Sequence, residues 1–297
     1  MASTAAVIKH RPKGLSALYS VHNVRHLIQF AFFAFIAYLA VRAIVVGESG
    51  TTVVSSPEAY CPFGGFETLY KFITTGGKTI NHTHLSNVVL FVATIASALV
   101  FRSSFCGWIC PFGTLQEGIM AFSAWLQRRI PFLKKGLKAL QTHAKPLARL
   151  DGWLRYLKYV VLAWIVLATI SAGVMVFRGY DPYATLLTIT EASLGPGLII
   201  LLVVVVSSFF VERPWCRYAC PLGAINGIVS QASPFRLERN ESLCMGCSIC
   251  DKACPVNLPV ATSKKITSPE CIGCLECVEV CPRGGALEMK VGLPFGK

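Results

Sequence analysis

Residues 105–113 read FCGWICPFG, and residues 215–223 read WCRYACPLG. Each stretch sets two cysteines four apart, with proline directly after the second and glycine three beyond it. Each also closes a long apolar run: Leu85–Phe101 before the first bracket, about Leu194–Val211 before the second. Two further runs, His26–Val46 and Tyr159–Phe177, complete a set of four. A bilayer crossing takes ~20 mostly apolar residues, so all four are read as transmembrane helices, the second and fourth being short. The first is too long for the apolar core of a signal peptide and shows no convincing small-residue cleavage site, so it is retained as a helix.

Composition agrees. The chain of 297 residues is 54% hydrophobic and 14% charged, with mean hydropathy +0.56, against roughly 25% charged residues in a soluble domain. The net charge of +13 is unevenly placed. Residues 1–25 hold four Lys/Arg and no acid, and Arg102–Lys158 hold ten against Glu117 and Asp151. The loops 47–84 and 178–195 hold three Lys/Arg against five acids. This is the positive-inside pattern for four crossings with both termini cytoplasmic. The basic excess therefore reports topology and contact with the lipid bilayer, and a nucleic-acid partner is excluded.

Twelve of the thirteen cysteines then fall on the cytoplasmic side, where disulfides are disfavoured and metal ligation is the better account. CMGCSICDKACPV (244–256) and CIGCLECVEVCPR (271–283) each run C-x2-C-x2-C-x3-C-P. Zinc also accepts four cysteines, but two complete copies of this tight spacing form the two-cluster ferredoxin pattern, in which the fourth cysteine of each run serves the other cluster. Cluster I is assigned Cys244, Cys247, Cys250 and Cys281, and cluster II Cys271, Cys274, Cys277 and Cys254.

The membrane part reads as a repeat of helix, outer loop, helix, cysteine bracket and amphipathic segment. CPFGTLQEGI answers CPLGAINGIV, and the outer YCPFGGFETL (60–69) answers YDPYATLLTI (180–189). One bracket offers two thiolates and a 4Fe–4S cube needs four. Cys106, Cys110, Cys216 and Cys220 are therefore expected to share a third cluster at the membrane surface. Gly107, Gly113 and Gly223 would admit close backbone approach, and Arg102, Arg213 and Arg217 would offset cluster charge. The expected architecture is a mainly α membrane protein: a basic N-terminus (1–25), a four-helix domain (26–235, repeats about 26–135 and 155–235) and a small α+β ferredoxin domain with two 4Fe–4S clusters (236–297).

These brackets, the four helices and the trailing ferredoxin runs resemble the membrane polyferredoxins over about residues 20–290. That family includes the membrane quinol dehydrogenase subunit of periplasmic nitrate reductase and the C-terminal half of the nitrous-oxide reductase maturation flavoprotein. The resemblance implies a protein of the prokaryotic inner membrane carrying three 4Fe–4S clusters on the twelve cysteines named. It also implies electron transfer between the quinone pool, or an outer-face redox subunit, and cytoplasmic partners. A metal-reducing maturation factor for a respiratory oxidase is a rival, but its expected methionine or histidine cluster is not seen. A redox sensor would want an output domain.

Other signals are weaker. Arg25 and Gln29 share a helix face and are candidate donors to a quinone. His22 with His26, and His82 with His84, read as interfacial residues. Thr114–Leu133 is amphipathic and basic, fit for the cytoplasmic membrane surface. Cys61, left over by the count, matches Asp181 in the repeat. The two form a candidate outer redox site, against the simpler reading of a turn residue before proline.

Overall fold

A computed structural model describes residues 19–47, 62–66, 68–69, 85–130, 147–172, 176–187 and 195–292. Most of these are helical. Helix α1 (Val21–Gly47) begins five residues before the apolar run. Ser20 starts it by accepting the Asn23 N–H on its hydroxyl at 3.1 Å, a cap that an apolar count does not register. Helix α2 (Leu85–Phe101) follows, then α3 (Ser104–Trp108) and α4 (Pro111–Arg129). The second half supplies α5 (Leu147–Leu154), α6 (Leu157–Ala172), a 3-10 turn (Val176–Tyr180) and α7 (Pro182–Leu187). Then come α8 (Pro196–Ser208), α9 (Pro214–Tyr218) and α10 (Pro221–Val229).

Helices thus stand at all four apolar runs, but only two, over Val21–Arg42 and Asp151–Ala172, are long and apolar enough to cross a membrane. Their outward faces are apolar: Phe30 is 68% exposed and Leu167 66%. A helix of a soluble core would bury such residues; lipid accepts them. Helix α8 starts at Pro196, has 13 residues and so rises ~20 Å, short of the ~30 Å hydrocarbon core. The expected third helix does not reach Phe177, which sits in the 3-10 turn and packs edge-on against Phe63 at 5.5 Å.

Two compact units divide the chain: Met1–Phe32 with Thr94–Cys110 and Ile225–Lys297, and Phe33–Ala93 with Pro111–Ala224. In the second unit a glycine brings each half's outer loop onto a helix. A Cβ on Gly65 would lie 2.2 Å from the Asn87 carbonyl, and one on Gly197 would lie 2.3 Å from the Thr185 hydroxyl. Helix α4 is turned polar side in. Gln116, Glu117 and Ser123 are buried, Glu117 pairs with the fully buried Arg213 at 3.0 Å, and Ser123 donates to the Phe209 carbonyl at 3.0 Å. Its outer face carries Phe122 stacked on Trp125 at 5.8 Å. The expected surface helix therefore packs its polar residues against protein and leaves its aromatics outside.

The first unit contains a three-stranded antiparallel sheet, ordered β2 (Lys265–Ile266), β1 (Phe235–Arg239), β3 (Leu287–Val291). Leu237 stands opposite Ile266 on one side and Met289 on the other. Leu237, Val256, Leu258, Val260, Ile266 and Leu287 form its core, and the thiols of Cys271, Cys274 and Cys277 are buried among them. Short helices α11 (Ile249–Ala253) and α12 (Glu276–Glu279) lie within the two cysteine runs.

Candidate metal centres

Both cysteine runs coil in the same way. Gly246 and Ser248 flank Cys247 with left-handed φ of 67° and 53°, and Gly273 and Leu275 flank Cys274 with 61° and 60°. A leucine or serine in this region costs energy that only an over-determined site sustains. The alternation turns backbone N–H groups inward, as loops around anionic groups do. The Gly246 N–H and Arg239 hold the Cys244 thiol below its ordinary range, and the Leu258 N–H donates to the Cys254 sulfur at 3.4 Å.

Cys254, Cys271, Cys274 and Cys277 line one apolar cavity with Ile272, Leu275 and the core residues around them. These are the four ligands assigned to cluster II. Burial pushes the Cys274 and Cys277 thiols well up, and a bound metal would take the place of their protons. The donor set fits an iron–sulfur cluster there. At the other site Cys250 is pushed up to about 11 by burial and by Asp251, while Cys247 is exposed. Cluster I would thus sit nearer solvent than cluster II. No disulfide joins any of the twelve described cysteines.

The first bracket belongs to the same unit and is packed onto the second cysteine run. Cys106 lies against the buried core around Cys271 and Cys274. A Cβ on Gly107 would fall 2.4 Å from the Ile272 carbonyl, and Trp108 Nε1 donates to the Gly273 carbonyl at 3.0 Å. Arg25 Nε and Gln29 Nε2 both donate to the Gly107 carbonyl, at 3.1 and 2.9 Å, and Arg25 also pairs with Glu276 at 2.8 Å. Both side chains are almost fully buried. These two candidate quinone donors thus direct N–H groups at the bracket's backbone and at the residue before Cys277. His22 joins them through Glu276 at 2.7 Å. His22, His26 and Glu276 could gather around a cation, but the Arg25 charge on the same carboxylate oxygen opposes one.

The second bracket has the same local fold in its own unit. The Ile109 and Cys110 N–H groups both donate to the Phe105 carbonyl at 3.0 Å, and the Ala219 and Cys220 N–H groups both donate to the Trp215 carbonyl at 3.0 and 2.9 Å. The Gly223 N–H donates to the Cys220 sulfur at 3.3 Å. Arg217 and the Tyr218 hydroxyl both bind Asp151, and burial together with that carboxylate pushes the Tyr218 hydroxyl up to about 12. The arginines expected to offset cluster charge are largely engaged elsewhere: Arg213 with Glu117, Arg217 with Asp151, and Arg102 with the Ser268 carbonyl at 2.9 Å.

Two amides were not singled out in the sequence. Gln116 Nε2 lies 3.5 Å from the Cys216 sulfur, and Asn226 Nδ2 lies 3.6 Å from the Cys106 sulfur. Both residues are wholly buried. Each stands six residues beyond the second cysteine of its bracket, an offset that the repeat alignment contains. Asp181 is buried and begins α7, accepting the Tyr183 N–H at 3.0 Å. Cys61, His82 and His84 lie outside the described residues.

Cysteine-lined loops with this backbone, on a mainly helical chain, define an iron–sulfur electron-transport protein of the ferredoxin type. Comparison with known proteins gives the family. A family described as "4Fe-4S binding domain" matches residues 83–132 and 194–240, which contain the two brackets. A "4Fe-4S dicluster domain" matches residues 236–282. The chain is 31% identical over 256 residues to YccM of Escherichia coli K12, named for electron transport, covering 83% of this chain and 68% of that one. It is 31% identical to the uncharacterized protein MJ0750 of Methanocaldococcus jannaschii, over 75% of this chain and 83% of that one. To the ferredoxin-type protein NapH of Haemophilus influenzae it is 28% identical, over 65% and 63%. No solved structure matches. The chain belongs to the polyferredoxin family that these proteins represent.

Proposed function

We propose that the chain relays electrons across the cytoplasmic face of a membrane, between the two ferredoxin-type sites and a third cluster held by Cys106, Cys110, Cys216 and Cys220. From there the route leads to the quinone pool or to an outer-face redox subunit, with cytoplasmic redox partners at the other end. Bound in these sites, 4Fe–4S clusters supply one-electron carriers in series. The observation that carries the reading is the packing of the first bracket on the Cys271–Cys274 loop through Gly107 and Trp108. A relay needs its stations close and fixed, and Arg25 and Gln29 fix this one by clamping the Gly107 carbonyl.

The membrane reading has four crossings with both termini cytoplasmic and the domain limits 1–25, 26–235 and 236–297. Its support is the charge asymmetry of the loops and the apolar outer faces of α1 and α6. The short α8 is accommodated if its ends rest in the interface or against protein. A quinone near Arg25 and Gln29, or an outer station at Cys61 and Asp181, would set where the route ends.

The test is a redox titration of the purified protein followed by EPR, with and without quinone analogues. We expect three cluster signals, of which one shifts or broadens with the analogue and is re-oxidised by a short-chain quinone. If no signal responds to quinone and none is re-oxidised by it, the route to the quinone pool is wrong. Blocking Cys61→Ser then decides for the outer face: transfer to an outer acceptor must stop while all three signals persist.

A further inference from the structure

We propose that Gln116 and Asn226 are a matched pair of amide donors to the sulfurs of the bracket cluster and set its reduction potential. The inference rests on the shared-cluster reading above. Gln116 lies six residues beyond Cys110 and donates to Cys216; Asn226 lies six residues beyond Cys220 and donates to Cys106. Each repeat thus sends an amide to the first cysteine of the other repeat's bracket. Two brackets serving one group about a pseudo-twofold axis would produce this exchange; two independent sites would give no reason for it.

The orientation of Gln116 is fixed by its neighbours. Its Oε1 accepts the Trp215 N–H at 3.1 Å, and its Nε2 also reaches the Phe112 carbonyl at 3.2 Å. The amide oxygen is therefore occupied and the NH2 group faces sulfur. Both side chains are wholly buried, so no water competes for these donors and the local dielectric is low. Beside the second bracket Arg213 is paired with Glu117 and Arg217 with Asp151. Hydrogen bonds to cluster sulfurs favour the more negative, reduced state and raise the potential. Gln116 and Asn226 are positioning residues: they act through the cysteines they touch.

The experiment compares the full-length protein with its Gln116→Leu and Asn226→Leu variants. Each is purified anaerobically, assayed for iron, and titrated by EPR. Both substitutions should lower the midpoint of the same cluster signal, each by a three- to tenfold change in the oxidised-to-reduced ratio at fixed potential, where tenfold is ~59 mV for one electron. The two ferredoxin signals should not move. Should a variant lose iron, wild-type protein carrying side-chain 15N-glutamine or 15N-asparagine gives the same answer through a nitrogen hyperfine coupling on that signal. Shifts in two different signals would overturn the pairing and the shared site together. Unchanged midpoints at full iron content, with no nitrogen coupling, would overturn this inference and leave the relay standing.

Discussion

Replacing Cys110 with serine, or Cys220 with serine, removes the same EPR signal, leaves the two ferredoxin signals in place, and reduces electron transfer to a membrane acceptor to background. A cube held by four thiolates loses one ligand in either variant. The two positions are 110 residues apart, so identical losses have no local explanation. On the proposed relay the loss should be nearly complete, because electrons passing between the ferredoxin sites and the membrane cross the bracket cluster. The variants should also differ in their side effects. Cys110 belongs to the unit that holds the ferredoxin core and Cys220 to the other unit, so any secondary change in the cluster II signal belongs to Cys110→Ser. The measurement is EPR of dithionite-reduced protein with parallel transfer assays in membranes. Loss of two distinct signals would assign the brackets to separate centres.

The second large effect is steric. Gly107→Ala places a methyl group 2.4 Å from the Ile272 carbonyl oxygen. Both partners are backbone, so one loop must move, and overpacking of this kind costs ~1–3 kcal/mol or more. The displaced segment carries Cys271 and Cys274, so the cluster II signal should broaden and thermal loss of both clusters should come at lower temperature. Gly118→Ala is the control. Gly118 lies within α4 with nothing inside 4 Å of its Cβ position, and alanine there should stabilise the helix by up to ~1 kcal/mol. The same chemical change thus has opposite signs at two helical glycines eleven residues apart. Thermal melts of the two variants in one detergent decide it. If Gly107→Ala melts with the parent, the bracket does not rest on the Ile272 loop.

These contrasts show what a single sequence makes legible. Apolar runs located four helices because hydrophobicity is a local property, yet the run at Leu194–Val211 promised more helix than Pro196–Ser208 delivers. The cysteine spacings marked candidate ligands because thiolate spacing is itself the chemistry, and Cys254 lies with Cys271, Cys274 and Cys277 around one cavity. Arg25 and Gln29 were legible as a polar pair on one helix face. Their target, the Gly107 carbonyl 82 and 78 residues away, was not, because no pattern within a helix announces a distant backbone acceptor. In α4 the amphipathic pattern was legible, but the partners of Gln116 and Glu117, the Trp215 N–H and Arg213, lie about a hundred residues on. Only the repeat alignment, which sets Gln116 against Asn226, held a usable hint.

Three 4Fe–4S clusters on twelve cysteines set a fixed atom count per chain. Anaerobically purified, full-length protein analysed for metal and acid-labile sulfide should return ~12 iron and ~12 sulfide per chain. About eight of each would remove the cluster shared by the brackets, and stoichiometric zinc with little iron would contradict the account altogether.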